Sequence, residues 1–262
     1  QKGEKSLVVK EWTMLAKALE QPPEKFHGLA DQEECYRRRY VDLMTNDESR
    51  NRFFTRSRLI QEIRKYLWDR GFVEVETPIL QDQAGGAAAK PFVSHFNALD
   101  KDCVMRIAPE LYLKRLLVGG MNKVFELGKD FRNEGIDRTH NPEFTVCEIY
   151  EAYGDRTSME AIMEGLLPHL CDTVIGKREI EYGDNKTVIN FNPPYRRVAY
   201  KDLVKELMGE DWFDLPFETQ LEKAKAKGRE TETNLELDGV DTELMLTHEV
   251  YDKLIERNIM QP

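Results

Sequence analysis

Between Asn46 and Arg70 the apolar residues Phe53, Ile60, Ile63 and Leu67 recur at helical spacing among polar neighbours. The pattern predicts an amphipathic helix with Asp47 as its cap and Gly71 as its stop. The period then shortens. "FVEVETPIL" (72–80) reads as a strand ended by Pro78, and "VSHFNAL", the turn "DKD" and "CVMRIA" (93–108) read as a hairpin. Pro109 sits in the first turn of a helix, "PELYLKRLLVGG", which Gly119 and Gly120 end. "KVFELG" (123–128) returns to strand. Residues 143–150 form another, with Phe144, Val146, Glu148 and Tyr150 on one face and Thr145, Cys147 and Ile149 on the other. Further helices are predicted at 157–174, about 200–208, 217–227 and 247–257, with a strand near 187–192. At the start, Leu7 to Val9 is a short β-like run, and Pro22 and Pro23 break the chain before it resumes. Strands joined as hairpins and helices set apart from them predict an α+β fold with a mainly antiparallel sheet.

"KVFELGKDFR" pairs naturally with the 143–150 strand, across a loop from Asn133 to Pro142 that is too long and too charged for a tight turn. Long loops in compact domains often carry function. Arg132 stands at the strand end, Glu134, Arg138 and His140 lie in the loop, and Phe144 lies just beyond it. Those are parts for gripping a nucleotide: cations for phosphates and a ring for a base. Composition narrows the field. With a net charge of −10 over 262 residues, bulk charge does not draw this chain to nucleic acid, and any RNA contact must be local. Cys35, Cys103, Cys147 and Cys171 show no C-x-x-C spacing and read as reduced thiols, not a zinc site. No apolar run reaches 18 residues and the N-terminal stretch lacks a signal-peptide core, so the expected address is cytoplasmic, with no membrane.

"FRNEGIDRTHNPEFT" followed by "CEIYEAY" resembles motif 2 of the class II aminoacyl-tRNA synthetases, and among them the lysyl-tRNA synthetase family. "GFVEVETPIL" is similar to motif 1, "GGAAAKPF" to that family's mobile loop, and "RIAPELYLKRLLVGG" to its amino-acid pocket segment. The aspartyl and asparaginyl relatives share "PEFT" but not "THNPEFTVCE" with this tyrosine spacing. The resemblance runs over about residues 1–205. It implies a class II catalytic domain over residues 41–262, incomplete at its C-terminus, preceded in 1–40 by the end of an OB-fold anticodon-binding domain and a linker. It implies that lysine is activated with ATP to lysyl-adenylate and passed to the 3′ end of tRNA(Lys). Arg132 would be the catalytic clamp on the α-phosphate and would bridge to the substrate carboxylate. Glu134, His140, Asn141 and Phe144 would complete the ATP site, with Phe144 stacked on adenine. Gly86, Ala108, Glu110, Glu148 and Tyr150 would hold lysine, because a buried ammonium needs carboxylates. A homodimer through about Phe53–Pro78 is implied. So is Mg2+, with ligands expected beyond residue 262 and none in this chain.

Each residue alone also has a plain structural reading. Glu110 in a first helical turn compensates the helix dipole, Glu148 on a strand is a surface position, and Phe144 is core. His140 is a loop histidine, Arg132 one half of a surface ion pair, and Gly85 with Gly86 a turn. Joint occurrence in order favours the functional reading. The family's glycine-rich motif 3 has no counterpart here, so the resemblance implies a piece of a longer enzyme that adenylates poorly by itself. Residues 208–247 diverge and read as an inserted helical subdomain, with "LEKAKAKGRE" (221–230) as a solvated helix end. Two alternatives stay open: a lysine-adenylating paralogue that modifies a protein lysine on elongation factor P, and a synthetase-like binding protein without chemistry.

Overall fold

The computed structural model describes residue 3 and residues 5–23, 28–137, 139–183 and 185–259; Arg138 of the long loop lies outside them. In chain order the helices and strands are α1 (Gln32–Arg37), α2 (Arg39–Thr45), α3 (Asp47–Trp68), β1 (Val73–Glu74), β2 (Leu80–Gln81), β3 (Val93–Phe96), β4 (Lys101–Met105) and α4 (Glu110–Val118). They continue with β5 (Lys123–Phe131), β6 (Glu143–Glu151), α5 (Arg156–Leu170), β7 (Glu179–Tyr182), β8 (Thr187–Asn190), α6 (Tyr200–Met208), α7 (Phe217–Glu230) and α8 (Glu243–Val250). The chain divides into two compact units, Gln1–Arg58 and Leu59–Pro262.

In the first unit, Leu7 to Val9 do not form the predicted strand. Among the described residues no neighbour offers them a ladder, and Leu7 is 96% exposed. The helices α1 and α2 were not predicted, because neither has an apolar stripe. They are built from caps and ion pairs instead: Asp31 accepts the Glu33 N–H at 2.9 Å, and Arg39 donates to buried Asp42 at 2.7 Å. The cap of α3 is Asn46, one residue before the predicted Asp47, since Asn46 Oδ1 accepts the Ser49 N–H at 3.0 Å.

Gly71, at φ 81°, ends α3 as predicted, with the Phe72 N–H on the Leu67 carbonyl at 3.1 Å. Beyond it the predicted 72–80 strand is split. Val73 and Glu74 run parallel to β5, whereas Leu80 and Gln81 pair with β4 in a second sheet. Thr77 explains the break: its N–H and hydroxyl go to the Glu126 carboxylate at 3.3 and 2.6 Å, and Pro78 has no N–H to give. The hairpin of β3 and β4 forms as predicted, and the β5–β6 pair dominates the first sheet, antiparallel from Lys123↔Glu151 to Phe131↔Glu143. The sheets are otherwise antiparallel, so the α+β class holds.

Alternation gives the β5–β6 pair two unlike faces. Phe125 and Leu127 with Cys147 and Ile149 turn one way and pack with Tyr66, Leu67 and Phe72 against Ile162 and Leu166 of α5. Glu126 and Asp130 with Glu148 and Phe144 turn the other way. The strand β7, not predicted, pairs with β8 as a hairpin. Helices α6, α7 and α8 close a separate core around fully buried Trp212, whose indole N–H donates to Thr247 Oγ1 at 3.1 Å. Two expectations are corrected there. The 221–230 stretch is not merely a solvated end, for Ala224 and Gly228 are buried in that core. The last helix begins at Glu243, capped by Thr242, and not at 247.

Candidate active site

Arg132 follows the last residue of β5, and its backbone N–H closes the base of the loop on the Pro142 carbonyl at 2.9 Å. Its guanidinium lies over the Phe144 ring, 5.2 Å from the centroid. A cavity of about 170 Å³ opens beside this pair, lined by Arg132, Glu134, Gly135, Thr139, His140, Asn141 and Phe144. All five residues expected to hold ATP therefore meet at one cavity.

The loop keeps its shape through a residue that sequence reasoning passed over. Asp137 accepts the backbone N–H groups of Thr139 and His140 at 2.7 and 2.8 Å, the Thr139 hydroxyl at 2.9 Å and contacts the His140 ring at 2.9 Å. These bonds, the Thr139 N–H first, hold its carboxyl well below the usual range. The signal was present in "DRTH": an aspartate two and three residues before the groups it caps is an Asx turn. The start of the loop is also tied to Lys90. The Asn133 N–H donates to the Lys90 carbonyl at 2.7 Å, and the Lys90 N–H donates to Glu134 at 3.2 Å.

Gly86, Ala108 and Glu110 also meet. Gly86 has φ 86°, and a Cβ there would stand 2.9 Å from Glu110 Cβ and 3.2 Å from Ala108 Cβ, so this approach needs glycine. Glu110 opens α4, where its charge compensates the helix dipole, and its carboxylate is paired with Lys114 one turn on. On β6, the Tyr150 hydroxyl donates to Glu148 Oε2 at 2.9 Å. Burial pushes the Glu148 carboxyl up, and the Glu110 charge pushes it further against the Tyr150 hydrogen bond. Tyr150 is itself pushed up, by burial first and then by the Glu148 and Glu110 charges. The two glutamates thus feel each other across the space between α4 and β6.

Beneath this lies a buried network that the sequence did not disclose. Arg106, 1% exposed, pairs through Nη1 with Glu126 and reaches Thr77 Oγ1 at 3.1 Å, while its Nε–H goes to the Lys129 carbonyl at 2.9 Å. Asp130 Oδ1 lies 3.0 Å from Arg106 Nε but accepts no hydrogen bond, because that N–H is aimed at Lys129. Burial pushes Asp130 up to about 6, helped by Glu148 and Glu126 and opposed by Arg106 and Arg132. Electrostatically, then, Asp130 joins the Arg132 side of the site to the Glu148 side. Among the described residues no group of three or more His, Cys, Asp or Glu side chains is arranged to hold a metal ion, and no helix is long and apolar enough to cross a membrane.

Comparisons with known proteins agree on one family. A family model described as tRNA synthetases class II (D, K and N) matches residues 31–245. The lysine–tRNA ligase of Lactococcus lactis subsp. lactis (strain IL1403) is 49% identical over 261 residues, 99% of this chain and 51% of that protein. That of Streptococcus gordonii is 48% identical over 262 residues, and that of Lysinibacillus sphaericus (strain C3-41) 45% over 262. The chain spans about half the length of the curated relatives it matches.

Proposed function

This chain belongs to the class II tRNA synthetases (D, K and N), and from that membership we propose that it forms the lysine-activating part of a lysine–tRNA ligase. A lysine carboxylate oxygen attacks the α-phosphorus of ATP, the bond to pyrophosphate breaks, and lysyl-adenylate forms; a hydroxyl at the 3′ end of tRNA(Lys) then attacks the lysyl carbonyl, the bond to the phosphate breaks and AMP leaves. The protein supplies no nucleophile to the first step. Positioning and charge neutralisation carry it. Arg132 spans the α-phosphate and the lysine carboxylate. Phe144 carries the adenine ring, Glu134 its amino group, and His140 and Asn141 the phosphates. The side chain of lysine extends to Glu110 and Glu148, with Tyr150 bonded to Glu148, and Gly86 and Ala108 give it backbone at close range.

The observation that carries this reading is the pairing of two unlike half-sites. A cavity lined by Arg132, Glu134, His140, Asn141 and Phe144 suits a nucleotide. Beside it, Glu148 is held above the ordinary carboxylate range by burial and by Glu110, an unfavourable arrangement that a bound ammonium relieves. The family's Mg2+ finds no fitting donor cluster among the described residues, so no step is routed through it. We further propose that residues 1–40 are the end of an OB-fold anticodon-binding domain and a linker, that the working form is a homodimer through about Phe53–Pro78, and that it acts in the cytoplasm. Exposed Trp68 and Val73 on that segment suit an interface.

Lysine-dependent exchange of pyrophosphate into ATP by the full-length protein, followed by charging of tRNA(Lys), tests the function. Arg132→Ala should lower exchange by at least about 100-fold, the scale of losing a preorganised charge in a closed site. Near-normal exchange by that variant refutes the role of Arg132, and exchange that ignores lysine refutes the substrate.

A further inference from the structure

We propose that Asp130 is a positioning residue for Arg132, accepting the Arg132 Nε–H in the occupied site and leaving the two terminal amino groups of the guanidinium to the substrate. The inference rests on the lysine-activating function proposed above. It starts from two buried atoms without partners. Among the described residues, Asp130 Oδ1 and Arg132 Nε are both shut from solvent and neither has a hydrogen-bond partner. One is an acceptor on an acid, the other a donor on a cation. Buried polar atoms are nearly always paired, so each such exception calls for a physical reason.

Strand geometry sets them on one face. Asp130 lies opposite Phe144 in the β5–β6 register, and the Arg132 guanidinium lies over the same Phe144 ring. Residues two apart on an extended chain point the same way. Asp130 Oδ1 is ion-paired with its other neighbour, Arg106, at 3.0 Å but accepts no hydrogen bond from it. Of the two acids around Arg106, Glu126 takes Nη1 and is also held by Thr77, while the Arg106 Nε–H is spent on the Lys129 carbonyl. Asp130 Oδ1 is left beside the Arg106 charge with no donor aimed at it. The groups that face it are Arg106, Glu126, Arg132 and Glu148, and burial among them pushes it up to about 6.

A carboxylate beside Nε grips the guanidinium from its side, whereas substrate oxygens approach from its end. The fork has five N–H donors in fixed directions, so a side-on acceptor fixes where the other four point. That is how Asp130 would act on the reaction without touching the substrate.

The test is a double-mutant cycle on kcat for lysine-dependent pyrophosphate exchange by the full-length protein. Arg132→Lys keeps a cation but has no Nε–H, so it removes the contact from the other side. We expect Asp130→Ala to lower kcat by about tenfold in the wild-type background and by less than about twofold in Arg132→Lys, the signature of coupled neighbours. Asp130→Asn, which keeps an acceptor oxygen and the shape, should recover kcat to within about threefold of wild type. Equal losses from Asp130→Ala in both backgrounds overturn the positioning role alone. So does an unaffected Asp130→Ala, or an Asp130→Asn as impaired as alanine. Wild-type protein without lysine-dependent exchange overturns the functional reading, and this proposal with it.

Discussion

Replacing Glu148 by Gln removes one negative charge from the proposed lysine pocket while keeping the shape and an oxygen for the Tyr150 hydroxyl, now 2.9 Å from Glu148 Oε2. Hydrogen bonds to charged groups contribute roughly 1.5–3 kcal/mol, and Glu110 remains to share the ammonium. Converted at about 1.4 kcal/mol per decade, the lysine KM should rise about ten- to a hundredfold. The ATP KM should change by less than about threefold, since Glu148 does not line the proposed nucleotide cavity. Steady-state pyrophosphate exchange with each substrate varied reads both. Stability should move the other way. The folded protein raises the Glu148 carboxyl above its ordinary 4.5, so the stability tied to its proton is fully present below 4.5 and is lost as pH rises through the higher folded value. At neutral pH, Glu148→Gln should therefore melt no lower than wild type, and that relative advantage should shrink as the pH falls toward 4.5. A lysine KM within about twofold of wild type refutes the pocket assignment, because no hydrogen bond to a buried charge is that cheap to lose.

Gly86→Ala must place a Cβ 2.9 Å from Glu110 Cβ at a φ of 86°, so it should lose about 1–2 kcal/mol in urea unfolding and raise the lysine KM; wild-type values for both would show that the close approach is not needed. Arg106→Leu strands Glu126 and Asp130 as buried, uncompensated carboxylates and should cost about 3–5 kcal/mol in chemical denaturation; a loss under about 1 kcal/mol would mean the network is not shut from water.

What could be read from sequence was what repeats locally. The helix α3 announces itself by spacing and by Gly71, and β6 by alternation, which already put Phe144, Glu148 and Tyr150 on one face. The residues that line the cavity were legible because they lie between Arg132 and Phe144, a stretch whose order of residue types resembles a family motif. Long-range pairing left no such trace. Arg106 meets Glu126 from 20 residues away and Thr77 from 29, and either looks like an ordinary strand residue. The same network split the 72–80 strand, since Thr77 spends its N–H on Glu126. The short helices α1 and α2 failed to show for a different reason, being held by ion pairs, and α1 by its Asp31 cap, without apolar stripes.

The β5–β6 pair has to reconcile two demands that oppose each other. Its site face gathers Glu126, Asp130 and Glu148 near Arg106 and Arg132, among the described residues a surplus of negative charge that suits a cationic ligand and burdens the fold. Its other face turns Phe125, Leu127, Cys147 and Ile149 into the core with α3 and α5, and that burial offsets the burden. Period-two geometry lets one ladder do both, and it also ties them together. A register slip of one residue would carry the carboxylates into the core and the apolar set into the site. The nine paired positions from Lys123↔Glu151 to Phe131↔Glu143 are thus held by packing on one side, and that same register decides which charges gather on the other. The loop between the strands is free of this constraint, and the cavity-lining residues Glu134, Gly135, Thr139, His140 and Asn141 sit there, with Asp137 and not the core bonded to Thr139 and His140.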